Sequence, residues 1–180
     1  MINITLKQYI SLEDTTTYDF LEHIKPSNRY VGKELNVSDM TYGEVKAVMR
    51  TLRKMKSIDD IKNIFETCFK ISENEFYSGL ITEYFSAKNF IIKTFKDLLD
   101  KEIKLLKSIS GDSALWEASG GNKLNKHSDV LAINQLAKIY GLYPFELESK
   151  KYQEILYLMV VEKELGEVQK RFDKLKSKQK

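Results

Sequence analysis

Between Glu73 and Lys107 the chain gives a helix almost nothing to stop on, with no proline and Gly79 as the single glycine. Ser72 followed by Glu75 has the spacing of a capping box, in which each side chain accepts from the other residue's backbone N–H and so starts a helix. Phe76, Ala87, Leu98 and Ile109 recur every eleven residues, and Leu80, Tyr84, Ile91, Phe95 and Leu106 fill the stripe between them. One glycine in a helix interior costs about 1 kcal/mol against alanine, which is not enough to end such a run. The expectation is one helix over 73–107, about 50 Å long at about 1.5 Å per residue. In a chain of 180 residues such a helix forms the spine of a bundle or meets something outside it.

The remaining periodicity is also helical. Tyr42, Val45, Met49, Leu52 and Met55 share one face, with Lys46, Arg50, Arg53 and Lys54 largely on the other. Ser57 and Asp60 then cap a helix whose inward face is Ile58, Ile61, Ile64, Phe65, Cys68 and Phe69. Asp129 or Ser128 caps another, with Val130, Ile133, Leu136, Ala137 and Tyr140 inward. Gly141 suits the left-handed position that ends a helix, and Pro144 suits the first turn of the next, where its missing N–H costs nothing. "GLYP" is therefore a helix–turn–helix corner. The first 37 residues carry weaker signals: "INITLKQYISL" reads as a short strand or extended arm, "TTTYDFLEHIK" as a turn or two of helix ended by Pro26, and "SNRYVGKELNVSD" as a loop. Gly111 stops the long helix, Gly120–Gly121 marks a tight turn, and "DSALWEA" between them carries Trp116 inward.

Two prolines and eight glycines leave too little punctuation for a many-stranded sheet. The fold class expected is all-α: a helical bundle of about six helices with one very long central helix and a projecting C-terminal helix. Three regions follow, with residues 1–37 an arm and short helix, 38–110 a helical lobe that includes the long helix, and 111–180 a helical C-terminal region. Apolar residues at 42% and charged residues at 31% are the composition of a globular chain. "MINITLKQYISLED" lacks the basic start and apolar run of a secretory leader, and "ILYLMVV" is too short to span a bilayer. The lone Cys68 excludes an intramolecular disulfide and fits a reducing compartment.

Beyond the corner, Leu158, Val161, Leu165, Val168, Phe172 and Leu175 alternate spacings of three and four. That is an a/d stripe of nearly three heptads, the seam through which one helix packs along another. Ile155, Leu156, Met159 and Val160 widen the stripe at its start, so that end belongs to a core and the later turns form a narrower seam. Charge is just as localised. The last eleven residues, "KRFDKLKSKQK", hold six bases and one acid, a balance of +5; the whole chain carries +3, so the rest sums to −2.

No catalytic constellation emerges, and the chain is expected not to be an enzyme and to need no cofactor or metal. "GGNK" lacks the Gly-Lys-Ser/Thr of a phosphate loop and reads as a turn. Neither His23 nor His127 has a second ligand at metal-binding spacing, and Cys68 has no basic neighbour to activate it. Carboxylates such as Asp59, Asp60, Glu73 and Glu75 sit at helix starts, where they complement the dipole. Two surfaces remain. Leu158, Val161, Leu165, Val168, Phe172, Leu175 and Trp116 are candidate protein-interface residues. Lys46, Arg50, Arg53 and Lys54, with Lys174, Lys176, Lys178 and Lys180 of the tail, are candidates for contact with nucleic acid or an acidic partner, although "MKS" lacks a turn glycine and Asp59 and Asp60 lie close by.

The order of parts in the second half carries a resemblance. "NFIIKTFKDLLDKEIKLLKS" comes first; "ALWEASGGNKLNKHSDVLAINQLAKIYGLYPFELES" then places a Trp and a Gly-rich turn before a short helix ending in Tyr140–Gly141. Pro144–Phe145–Glu146, "KYQEILYLM" and a charged tail follow. Over roughly residues 85 to 172 this resembles small helical proteins of tailed bacteriophages, particularly tail assembly chaperones, and "MTYGEVKAV" is compatible with them. The resemblance implies a non-enzymatic morphogenesis protein that binds other phage proteins: a chaperone holding the tape-measure protein, or a virion component at the portal, connector or tail. It further implies an oligomer or part of a larger assembly, located in the host cytoplasm during assembly or in the virion. A nucleic-acid-binding helical module, using the basic helix 42–56 and the basic tail, is the competing expectation.

Overall fold

The structure is a computed structural model that describes residues 3–107 and 117–178. The fold is all-α, as expected, with a single two-stranded hairpin among the described residues. In chain order the α-helices are α1 (Leu6–Ile10), α2 (Tyr42–Lys54), α3 (Ile58–Phe69), α4 (Glu73–Ser78), α5 (Ile81–Leu106), α6 (Ser128–Tyr140), α7 (Pro144–Glu148) and α8 (Tyr152–Ser177). Strands β1 (Arg29–Tyr30) and β2 (Lys33–Glu34) pair antiparallel across the turn Val31–Gly32. The contacts divide the chain into two units, residues 1–40 with 44–99, and residues 41–43 with 100–180.

The first unit gathers around aromatic rings. Tyr30 packs edge-on against Phe65 with centroids 4.8 Å apart, and Phe65 in turn meets Phe76 and Tyr84 at 5.4 Å each. Such contacts add to area burial because ring edges and faces carry opposite partial charge. α3 and α4 start where the sequence indicates. Ser57 Oγ accepts from the Asp60 N–H and Ser72 Oγ from the Glu75 N–H, while each carboxylate accepts from the cap's own N–H.

The single helix expected over 73–107 is instead two. α4 ends at Ser78, Gly79 takes an extended conformation (φ −63°, ψ 151°), and α5 begins at Ile81. The cause lies far away in sequence. The Leu6 N–H donates to the Gly79 carbonyl at 2.8 Å and the Ile81 N–H to the Ile4 carbonyl at 3.0 Å, so Thr5 and Leu80 form an antiparallel bridge. The Tyr30 ring lies against Gly79, where a Cβ would stand 2.3 Å from the tyrosine oxygen. These long-range contacts outweigh a local propensity difference of about 1 kcal/mol. α5 therefore has 26 residues and spans about 39 Å, not 50 Å, and α8 also has 26 residues.

The N-terminal segment is also more ordered than the arm its sequence suggests. Thr5 caps α1 through a capping box with Gln8, a 3-10 helix covers Thr16–His23, and Leu6, Leu21, Tyr30, Leu35 and Met40 are buried. Asn89 holds the end of the 3-10 segment by donating to the Glu22 and Ile24 carbonyls, and Ser86 donates to the Lys25 carbonyl.

The second unit is built on α6, α7 and the start of α8. Its core includes Ile133, Leu136, Ala137, Leu147, Tyr152, Ile155, Leu156 and Met159. Tyr42 stacks on Tyr152 at 6.1 Å, and its N–H donates to the Lys150 carbonyl. The last turns of α5 belong here: Tyr152 donates its hydroxyl proton to Glu102 at 2.9 Å, and Lys163 donates to the Leu105 carbonyl at 3.1 Å. Hence the division between units falls at Leu99–Asp100, inside a helix, while the sequence suggests residue 110. "GLYP" behaves as its chemistry dictates, with Gly141 left-handed (φ 65°) and Pro144 opening α7. α6 begins at Ser128 with His127 in the N-cap position, ahead of both expected caps, Ser128 and Asp129.

Candidate functional site: the C-terminal half of helix α8

Tyr152, Ile155, Leu156 and Met159 root the start of α8 in the core, and the rest of the helix emerges from it. Leu158 and Val161 are half-buried, but Leu165, Val168, Phe172 and Leu175 are 57%, 57%, 58% and 63% exposed. From Glu164 to Lys178 every residue except Glu167 is exposed. Four large apolar side chains at a/d spacing thus lie in water along more than two turns of helix. Scattered exposed hydrophobics are ordinary, but a row of them at one helical phase is a packing surface. Trp116, the remaining interface candidate, lies outside the described residues.

A second apolar surface, which the periodicity does not reveal, sits at the corner between α6 and α7. Tyr143 and Phe145 flank Pro144, stack face to face at 5.7 Å, and are 69% and 67% exposed. Ile139, Tyr140, Leu142 and Tyr157 are exposed too. Val130 and Tyr140, expected to point inward, do not: α6 buries only Ile133, Leu136 and Ala137 of that face. The available signal was the pair of bulky aromatics flanking a helix-starting proline. Tyr140 donates to the Glu162 carboxylate at 3.1 Å. Beside that bond lies a cleft of about 340 Å³ lined by Leu106, Leu136, Ile139, Met159 and Lys163 among others.

The basic candidates separate. Lys46 is buried, at 5% exposure, whereas Arg50, Arg53 and Lys54 are exposed one turn on, with Arg50 donating to the Lys46 carbonyl at 3.2 Å. Lys174, Lys176 and Lys178 are exposed at the end of α8, and Lys180 lies outside the described residues. Arg53 also rims an apolar cleft of about 350 Å³ in the first unit, together with Lys96 over Met49, Leu52, Met55 and Phe95.

Reactive groups are tied into structure. Burial pushes the Cys68 thiol up to about 12, so it is neither thiolate nor nucleophile at neutral pH. Desolvation likewise raises the Tyr30 and Tyr84 hydroxyls. The carboxylates of Asp60 and Glu75 are held below their usual range, Asp60 chiefly by the Lys56 and then the Ser57 backbone N–H, Glu75 chiefly by the Ser72 backbone N–H. Among the described residues no group of three or more His, Cys, Asp or Glu is placed to hold a metal ion. Nor is any described helix long and apolar enough to cross a membrane.

No protein-family model, curated protein sequence or solved structure matches this chain.

Proposed function

We propose that the protein is a non-enzymatic bacteriophage assembly or virion structural protein that works through helix-mediated contacts with other proteins. The observation that supports this most is the exposed row Leu165, Val168, Phe172 and Leu175 on a helix whose earlier turns are firmly held in a core. A rooted helix that carries an apolar seam into solvent is suited to clasp another helix. In a tail assembly chaperone the client would be a helical protein such as the tape measure; in a connector or portal-associated component it would be a neighbouring subunit. Both roles place the chain in the host cytoplasm during assembly, and the second keeps it in the virion.

The test is co-expression with a tape-measure, connector or portal protein. The wild-type chain is expected to keep the partner soluble or to co-purify with it, and the variant Leu165→Asp with Phe172→Asp is expected to lose that ability. A wild-type chain that leaves all three partners unaffected would remove the morphogenesis reading.

A second reading has support from exposed Arg50, Arg53 and Lys54 on one unit and, separately, from the basic end of α8 on the other, each of which suits nucleic acid. Counterion release makes such binding fall steeply with salt, whereas an apolar seam is much less sensitive. Burial of Lys46 removes one of its phosphate contacts.

A further inference from the structure

We infer that the C-terminal half of α8 recognises a second copy of this chain, the two helices pairing antiparallel along Leu165, Val168, Phe172 and Leu175. This rests on the reading of the seam as a protein interface and adds the identity and direction of its occupant. Charge carries the inference. With Leu165 and Phe172 at a positions and Val168 and Leu175 at d, the flanking e positions are Glu162, Gln169 and Lys176 and the g positions are Glu164, Arg171 and Lys178. Both edges of the seam are therefore acidic before Val168 and basic after Phe172. Residues at e and g decide partner and orientation in paired helices.

Reversing one helix sets e against e and g against g. Centring the pair near Lys170 stacks Leu165 on Leu175 of the second copy and Val168 on its Phe172. Glu164 then faces Lys178 and Glu162 faces Lys176, each contact occurring twice by symmetry. Gln169 meets its own copy, a neutral contact. Arg171 also meets its own copy, and this is the single like-charge contact; within its own helix it donates to the Glu167 carbonyl, while the Glu167 carboxylate pairs with Lys163. A parallel pair sets g against the following e instead. That would put Arg171 against Lys176 twice and leave Glu164 beside the neutral Gln169. Like charges across an interface weigh against a partner or register, so the antiparallel arrangement is favoured. Among the described residues Glu164, Lys176 and Lys178 have no ion-pair partner within the chain, and all three are exposed. The pairing is isologous and closes as a dimer.

Single cysteines test the direction, and the buried native Cys68 does not compete for oxidant. Full-length Gln169→Cys is expected to form a disulfide-linked dimer under mild oxidation, and Leu165→Cys is not. Self-linking of Leu165→Cys without Gln169→Cys would mean a parallel pair and overturn the inference, as would linking by neither. Charge reversal gives a second readout by sedimentation. Glu164→Lys and Lys178→Glu should each weaken the dimer on the order of tenfold, and the double variant should recover it. No recovery would also overturn the antiparallel register. A monomeric wild-type chain that still solubilises a phage partner would sink self-pairing and leave the proposed function standing. A cross-linked dimer that ignores every phage partner would do the reverse.

Discussion

The hydroxyl of Tyr30 donates to the carbonyl of Phe76, and the ring that delivers it occupies the space where residue 79 would carry a Cβ. Glycine at position 79 is thus required by a side chain 49 positions earlier. Neither the turn nor a positive φ demands it, since φ there is −63°. Gly79→Ala should destabilise the fold by about 1–3 kcal/mol through overpacking, even though alanine is the better helix former. Chemical denaturation checks this. A stabilised Gly79→Ala would mean that α4 and α5 can fuse into one helix and that the Tyr30 contact is dispensable.

Val31 and Gly32, the turn of the hairpin, both have positive φ, at 48° and 71°. A two-residue turn of this kind matches the twist of its strands, but a β-branched residue is strained in the left-handed region. Val31→Asn should therefore raise stability by about 1 kcal/mol, visible as a higher Tm. An unchanged or lower Tm would indicate that the half-buried valine contributes packing that offsets its backbone strain.

Alkaline pH should unfold the protein through groups that the native state keeps neutral. The folded thiol of Cys68 titrates near 12, above its ordinary value of 9.0, so the unfolded chain loses that proton first. This contribution is fully present below about pH 9 and declines as pH rises from there towards 12, by up to about 1.4 kcal/mol per pH unit. Tyr30 and Tyr84, also raised, add to the slope above their ordinary value of 10.0. Thermal melts between pH 8 and pH 11 should show Tm falling. A flat profile would show that these groups are more hydrated than their burial indicates.

Local chemistry was legible from the sequence wherever a few neighbouring residues decide the outcome. The boxes Ser57–Asp60 and Ser72–Glu75, the stop at Gly141 and the start at Pro144 are all in place. The break at Gly79 was not legible, because it depends on Ile4, Leu6 and Tyr30 arriving from the other end of the chain. The order of the first forty residues was hidden for the same reason: Leu6, Leu21 and Leu35 show no periodicity, and the segments that hold them, α4 against α1 and Asn89 of α5 against the end of the 3-10 turn, lie far along the chain. For the candidate site, the spacing of Leu165, Val168, Phe172 and Leu175 identified the stripe, and its widening at Ile155, Leu156 and Met159 marked the end that the fold buries. The corner aromatics Tyr143 and Phe145 carried no periodic signal at all.

The seam itself is tested most directly by the solution mass of the purified chain, measured by light scattering at low and high salt beside the variant Leu165→Asp with Phe172→Asp. The account predicts that the wild type appears as a discrete multiple of its 21.0 kDa chain mass and persists in high salt. The variant should fall to the monomer mass while its circular dichroism remains helical. A wild type that is monomeric under both conditions would contradict self-pairing, and a variant that unfolds as a monomer would contradict the seam itself and return it to the core.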